Sequence, residues 1–310
     1  MPAKKSFDAQ LAAIEALRHI PAEAAAPELA SALKLQNNLL VAKAAALALH
    51  HELRTLTADL AAAFPRFLEN PAKSDPQCWA KNALAKTLAA FEYQDSELFL
   101  AGMRHTQPEA MWGGTVDTAG PLRSTCALAL VQCRDLNSHR LLTALIPLFA
   151  DKEVTVQVNA ARAVEQVGTD SAALLLRLRA ELASGEPELL GACYSGVLAI
   201  EGPSAIPWAA RFLTAEDDAA NEAAMAIAQT HTPESFTLLR ATYTKTRSEW
   251  FRDALLLAIA FTRQQEAIDY LLDMVATEQP QAGAAREALC RSAPSETTLE
   301  SLTKLGKPCK

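Results

Sequence analysis

The sequence predicts an all-α protein, built as a right-handed α-α superhelix of about eight stacked helix pairs. Alanine, the strongest helix former, supplies 63 of the 310 residues. Hydrophobic residues make up 50% of the chain, but aromatic residues only 6% and glycines number 11. This composition argues against a β-sandwich, a β-barrel or a disordered chain. A third observation, a recurring segment, indicates stacked units.

The recurring segment starts at eight positions that are 30 to 44 residues apart. A near-constant period of this size is typical of repeated supersecondary units. Seven of eight residues are small at its fifth position, and seven of eight at its eighth. These positions share one helix face, so small residues there let neighbouring helices approach closely. We therefore expect the inner helices of the repeats to start at Val41, Cys78, Leu122, Val156, Leu189, Ala219, Trp250 and Gln281.

An apolar segment that precedes most inner helices predicts the first helix of each pair. Three of these segments contain a proline, which kinks a helix: Pro65, Pro147 and Pro207. Asp117 and Asp151 each lie five residues before an inner segment, where aspartate caps a helix or the turn before it. A kinked first helix, a short turn and a straight second helix resemble the HEAT repeat, from about residue 27 to 293. The resemblance implies an α-solenoid and little about activity, since such repeats carry many functions.

We expect one solenoid over residues 1–310. Its N-terminal repeats, residues 1–101, are long and irregular, whereas the repeats over residues 122–293 keep a tight period. An insertion loop at residues 102–121 separates them and holds four of the eleven glycines. Residues 294–310 are predicted to form a capping helix and a short basic tail.

The net charge of −7 lies entirely within residues 151–230, which carry five basic and twelve acidic groups. A nucleic-acid binder needs a basic footprint, so we do not expect nucleic acid as a partner. No run of 18 apolar residues predicts a membrane span, and no apolar region follows Lys4 and Lys5 as a secretory signal requires. The six cysteines form no C-x-x-C pair and are interpreted as small core residues. We therefore place the chain in a reducing cytoplasm, that of a bacterium.

No residues are predicted to hold a metal or cofactor or to act in catalysis. His50-His51-Glu52 resembles the His-Glu pairs with which deoxyhypusine hydroxylases, which are HEAT-repeat enzymes, hold two irons. One pair cannot complete a dinuclear site, so that activity is not expected. The sequence also has no zinc-ligand spacing, no G-x-x-x-x-G-K-[ST] loop and no G-x-G-x-x-G motif.

The insertion is the first candidate binding site. Trp112 stands beside Gly113-Gly114, which frees the backbone, and Asp117 and Arg123 add charge nearby. Insertions in repeat proteins often form the binding face. The alternative is that Trp112 folds back to fill a gap between repeats while Asp117 caps the next helix.

The inner helices supply the second candidate surface. Their predicted exposed positions carry mixed charge, which suits a specific protein partner. We therefore expect a non-enzymatic protein-protein interaction scaffold. The alternatives are a HEAT-like enzyme that acts on nucleic acid, as DNA glycosylases do, or on a bilin chromophore, as phycobilin lyases do, and a stabilising subunit of a larger complex. The candidate positions are Lys43, Ser124, Gln157, Arg162, Asn221, Glu222 and Arg252.

Overall fold

A computed structural model describes residues 6–182 and 186–309. In these residues the chain is mostly α-helical, which confirms the coarser prediction of an all-α class, and its strands are confined to one short hairpin. The chain divides into two compact units, Met1–Ala163 and Val164–Lys310. The division falls within the helix Val154–Val167, inside the stretch predicted as regular repeats.

The first unit holds nine helices within the described residues, the start of a tenth, and the two strands. Helices are present at the segments predicted as inner helices, and the strands lie between the seventh and eighth helices. The elements are α1 (Phe7–Ala16), α2 (Ala22–Ala32), α3 (Asn38–His50), α4 (Thr57–Ala63), α5 (Pro71–Ser74), α6 (Trp79–Ala90), α7 (Ser96–Met103), β1 (Pro108–Met111), β2 (Gly114–Asp117), α8 (Gly120–Leu130), α9 (Ser138–Leu145) and α10 (Val154–Val167).

The inner helices of the first unit pack in sequence, α3 against α6 and α6 against α8. The small residues of the fifth and eighth positions are buried in this unit: Ala45, Ala85 and Cys126 have no exposed surface. Small side chains allow this close packing because they keep the backbones near each other without a void. The alanine excess of the sequence is therefore explained by helix contacts as well as by helix propensity.

The prolines of the first helices change the type of helix. α4 is followed by a 3₁₀ turn at Phe64–Phe67, which contains Pro65, and α9 by one at Ile146–Ala150, which contains Pro147. Proline has no N–H to donate to the preceding turn, so the α-helical hydrogen-bond pattern stops there. Pro207 lies instead in the first turn of a short helix, Ile206–Ala210, where a missing N–H costs nothing.

The second unit continues the alternation of helices. The elements are α11 (Asp170–Leu182), α12 (Pro187–Glu201), α13 (Ile206–Ala210), α14 (Asp218–Ala228), α15 (Pro233–Lys245), α16 (Glu249–Phe261), α17 (Gln265–Ala276), α18 (Ala282–Arg291) and α19 (Glu296–Lys304). The last of these occupies the segment predicted as a capping helix. α12, α14, α16 and α18 pack in sequence, and α11, α13, α15 and α17 each pack against the helix that follows.

One helical segment, Pro187–Ala215, is long and apolar enough to cross a membrane, with a mean hydropathy of 1.3. It is interrupted at Gly202, whose φ of 69° and ψ of −157° end α12. Its arms pack against α11 and α14, and 56% of its most apolar stretch is buried within the protein. These are the features of a core helix pair.

Two of the six cysteines form a disulfide that the sequence did not predict. Cys290, in α18, forms a disulfide with Cys309 in the C-terminal tail, so the interpretation of all six as free core residues is wrong. The tail turns back at Gly306, whose φ is +69°, and the Arg286 guanidinium donates a hydrogen bond to the carbonyl of Pro308. The disulfide also removes the support that the cysteines gave to a reducing compartment.

The four free cysteines are buried, as predicted. Burial raises the pKa of the Cys78 and Cys133 thiols to about 11 and that of Cys193 to about 12. The Cys126 thiol, packed against Gly102, is raised further in the same direction. Since the thiolate is the nucleophilic form, these thiols are unreactive at neutral pH.

We expect loss of the disulfide to destabilise the C-terminal helices. Cys309→Ser removes a cross-link between residues 19 apart in sequence, which contributes about 3 kcal/mol in the chain-entropy model. Urea unfolding should show this loss, and a reductant should lower the stability of the native chain but not that of the variant. Equal sensitivity of both proteins to the reductant would show that the effect comes from another thiol.

Candidate functional site

The predicted insertion loop contains a two-stranded antiparallel hairpin, β1 and β2. Met111 pairs with Gly114, so Trp112 and Gly113 form the turn, and Gly113 takes the positive φ of +90° that glycine tolerates. The Trp112 side chain is fully exposed, at 105% of its reference area. The alternative that Trp112 folds back as packing is therefore wrong.

The hairpin exposes large apolar side chains near its tip. Met111 and Val116 lie on the same face because Val116 pairs with Glu109, two residues before Met111. Their side chains are 58% and 47% exposed. No atom lies within 4 Å of a Cβ built at Gly113 or Gly114, so the turn is surrounded by open space. Three large apolar side chains thus stand in solvent on one small element.

A buried ion cluster holds the base of this hairpin. Arg123, in α8, is 4% exposed and binds the Asp151 carboxylate through two donors, Nε at 2.7 Å and Nη2 at 3.0 Å. Its Nη1 donates to Asp117, the last residue of β2, at 2.7 Å and to the carbonyl of His105 at 3.0 Å. Glu153 lies 3.7 Å from Nη2. The prediction of Arg123 as a partner contact is wrong, because it is enclosed by its own carboxylates.

The two aspartates of the cluster also form the predicted turns. Asp117 Oδ1 accepts the N–H groups of Gln107 and Ala119, and Asp151 Oδ1 accepts that of Glu153. Burial alone would raise the pKa of Asp117, but these N–H groups and Arg123 outweigh it and lower the pKa. Asp117 therefore acts as an anchor of the hairpin, although it was predicted as a partner contact.

The pKa of Glu153 shifts in the opposite direction to that of Asp117. Burial, together with the neighbouring Asp117 and Asp151, raises its pKa although Arg123 opposes this. Its carboxylate lies against Gly120 at the start of α8, where any Cβ would collide with it. The cluster thus brings three carboxylates to one guanidinium, and a side chain at position 120 would displace the Glu153 carboxylate from its place.

A second polar cluster attaches β1 to the loop before α6. Glu109 Oε1 accepts the backbone N–H of Gln77 at 2.7 Å, the Thr118 hydroxyl at 2.9 Å and the Gln107 amide at 2.6 Å. Gln107 is 1% exposed, and its amide oxygen accepts the Cys78 thiol. Both Gln77 and Cys78 have positive φ values, 59° and 56°, which side chains other than glycine rarely adopt. The hydrogen bonds from the hairpin hold this unfavourable loop in place.

An ion pair with no exposed surface joins this loop to α6. Lys81 Nζ lies 3.0 Å from Asp75 Oδ2, and both side chains are 0% exposed. Asp75 also accepts the N–H groups of Ala80 and Lys81 at the start of α6, and the Asn38 amide. The Lys81 ammonium donates to the carbonyl of Phe67 as well. The pair thereby joins α3, α6 and the turn after α4.

A cleft of 710 Å³ adjoins the base of the hairpin, between α7 and α9. Thr106, just before β1, and Arg123 form part of its wall. Leu100, Met103 and Leu148 supply apolar surface. Three exposed charged side chains that line the cleft, Arg104, Arg140 and Glu97, have no ion-pair partner among the described residues, which leaves an excess of one positive charge among them.

The predicted inner-face residues are not gathered into one site. Lys43 and Arg162 are exposed, and Lys43 pairs with Glu15 at 3.0 Å. Ser124 is buried, at 7% exposure, so the prediction that it faces a partner is wrong. Gln157 is half-buried, and its amide donates to the carbonyl of Asp151 at 2.6 Å.

In the second unit, Glu222 and Arg252 are half-buried. Glu222 packs over Gly191, and burial, with Glu188 and Asp218 nearby, raises its pKa. Arg252 donates to the carbonyl of Thr246 and lies over the Tyr243 ring. Both therefore contribute to packing between helices.

Sequence reasoning missed an exposed leucine stripe on α11. Leu174, Leu178 and Leu182 lie at positions i, i+4 and i+8 and are 66%, 56% and 70% exposed. The spacing was visible in the sequence, but α11 is apolar on two faces, and alanines and Leu176 form the buried one. Only the packing of the folded chain shows which of the two faces is buried. The exposed leucine face is of a kind that is typical of an interaction surface.

No protein-family model matches this chain, and no curated protein is significantly similar to it. In residues 6–182 and 186–309, no group of three or more His, Cys, Asp or Glu side chains is arranged to hold a metal ion. The function is therefore inferred from the geometry of the hairpin, its anchors and the adjoining cleft.

Proposed function

We propose that this chain is a non-enzymatic scaffold that binds a protein segment through the β1–β2 hairpin and the adjoining cleft. The exposed Trp112 carries this proposal. A hydrophobic side chain in water costs free energy, and Trp is among the residues most enriched at the centres of protein interfaces. The hairpin adds little to the core, because Met111 and Val116 are exposed as well.

The anchoring of the hairpin supports the same proposal. A loop that served only as a connection would not need a buried guanidinium cluster and a second polar cluster at its base. A rigid base reduces the entropy that is lost when a partner orders the binding element. The hairpin is thus a preorganised apolar tip on a fixed support.

The cleft suggests the chemistry of the partner. Apolar side chains of a bound segment would contact Met111 and Trp112 and the Leu100 and Met103 wall of the cleft. Arg104 and Arg140 at the rim favour a carboxylate on that segment. An apolar segment with an acidic flank therefore suits this surface best.

The wider architecture belongs to the proposal as well. We propose that the helix pairs form a HEAT-like solenoid, since helices occur at all eight predicted segments, and α3, α6 and α8 in the first unit and α12, α14, α16 and α18 in the second pack in sequence. The raised pKa values of the four free thiols argue against a cysteine nucleophile in this proposed role. The cytoplasmic site of action predicted from the sequence stays a proposal, and the Cys290–Cys309 disulfide does not support it.

The test is the Trp112→Ala variant of the full chain. We expect it to fold with unchanged stability, since the side chain makes no buried contact, and to bind a partner captured by the native protein about 30-fold more weakly or worse. Affinity measured by titration calorimetry gives the difference. The control is Phe7→Ala, which also removes an exposed aromatic ring, 42% exposed, and should leave the affinity unchanged.

Two results would contradict the proposal. One is an equal loss of affinity in Trp112→Ala and Phe7→Ala, which indicates unspecific apolar attraction. The other is unfolding of Trp112→Ala, which would assign the ring to packing.

A further inference from the structure

A groove of 410 Å³ runs between α16 and α18 on the inner-helix side of the second unit. On α16 it is lined by Trp250, Asp253 and Leu257, which follow the helical spacing of one face. On α18 it is lined by Glu287 and Arg291, one turn apart. It therefore lies on a different element and in a different unit from the hairpin.

The groove opens where the repeat pattern changes. In α14 and α18 the fifth and eighth positions are buried alanines, such as Ala223 and Ala288. In α16 the same positions are Ala254 and Leu257, and both stay partly exposed and line the groove. Leu257 is the one large residue in the eighth-position column. An apolar floor is thereby left open to solvent.

Trp250 forms one wall and is 49% exposed. Its ring stacks on Phe251, which is fully buried, with centroids 6.0 Å apart. The stacking holds the indole at the edge of the groove instead of letting it fold into the core. A tryptophan face attracts cations through its negative π surface.

The charges around the groove are predominantly negative. Asp253 has Glu249 one turn before it on α16 and Glu287 opposite it on α18, and burial together with these two carboxylates raises its pKa. Arg291 is the cation of the groove, and it lies 3.7 Å from Glu287 in an exposed pair. Arg252 is turned away, toward Tyr243 and the carbonyl of Thr246. Two carboxylates, Asp253 and Glu287, and one guanidinium, Arg291, therefore line the groove, and Glu249 adds a third negative charge beside Asp253 on α16.

We propose that this groove binds a guanidinium or ammonium side chain from a basic segment of a protein partner. Asp253 and Glu287 supply the ion pairs, and the Trp250 ring supplies an aromatic contact to the cation. Leu257 receives the methylene stem of the lysine or arginine. A bound cation also relieves the repulsion between Asp253 and its acidic neighbours. The site is independent of the hairpin and of the partner proposed for it.

The test is binding of a fluorescently labelled hexa-arginine peptide to the full chain, measured by anisotropy at low and physiological salt. We expect Asp253→Asn to weaken binding about fivefold or more and Trp250→Ala about threefold or more. The matched control is Asp273→Asn, which removes the same charge from an exposed site on α17 outside the groove. It should change the affinity less than twofold. Circular dichroism confirms that each variant is folded.

The outcomes separate this site from other sources of attraction. Equal weakening by Asp253→Asn and Asp273→Asn would overturn the proposal in favour of diffuse attraction to an acidic surface. No measurable binding to the native chain at low salt would overturn it directly. Unchanged peptide binding in Trp112→Ala is expected, and it shows that the groove and the hairpin act separately.

Discussion

Replacing Arg123 with alanine should lower the free energy of unfolding by about 3–5 kcal/mol. The guanidinium is buried and donates to Asp117, Asp151 and the carbonyl of His105. Its removal leaves three carboxylates, Asp117, Asp151 and Glu153, close together without a cation. A buried charge that loses its partner costs more than the pair contributes, so the effect should be among the largest of any single substitution in this chain.

Urea unfolding followed by circular dichroism measures this loss, and amide hydrogen exchange locates it. We expect faster exchange in β1, β2 and the first turns of α8, since Arg123 joins these elements. Arg123→Lys keeps the charge but cannot bind Asp151 through two donors, and should give an intermediate loss. Arg104→Ala, which removes an exposed guanidinium at the cleft rim, should change stability by less than about 0.5 kcal/mol. A loss below about 1 kcal/mol in Arg123→Ala would show that the cluster is not a structural anchor.

The sequence predicted the features that depend on local spacing. The inner helices, the buried small residues such as Ala45 and Cys126, and the turns at Asp117 and Asp151 follow from helix periodicity and from capping chemistry. The prolines were predicted as kinks, and Pro65 and Pro147 mark a change to 3₁₀ geometry. Each of these signals lies within a few residues of the structure that it specifies.

Features that join distant residues were not predicted. The Cys290–Cys309 disulfide depends on the tail turning back at Gly306. The burial of Arg123 depends on Asp151, 28 residues later, which the sequence placed only as a turn residue. The exposure of Trp112 depends on β1 and β2 pairing in a segment whose residues show no clear alternation. For the same reason, only the folded structure shows that the Trp112 side chain is exposed and is not packed between repeats.

The second large effect is expected at the buried Asp75–Lys81 pair, and it should be unequal for the two partners. In Asp75→Ala, the Lys81 ammonium stays buried with only the carbonyl of Phe67 as a partner, and two N–H groups at the start of α6 lose their acceptor. We expect a loss of about 3–5 kcal/mol. In Lys81→Met the Asp75 carboxylate keeps those two N–H groups and the Asn38 amide. That loss should be about 1–3 kcal/mol.

The difference in stability loss between Asp75→Ala and Lys81→Met shows whether Asp75 acts mainly on the N–H groups of α6 or through its ion pair with Lys81. A carboxylate at the start of α6 satisfies unpaired N–H groups and interacts favourably with the helix dipole, and neither effect needs Lys81. Equal losses in Asp75→Ala and Lys81→Met, measured by urea unfolding, would instead show that the ion pair itself dominates. A double variant, Asp75→Asn with Lys81→Met, removes both charges while an amide oxygen remains to accept the Ala80 N–H. If the buried charge is the main cost in Asp75→Ala, the double variant should be more stable than that single variant.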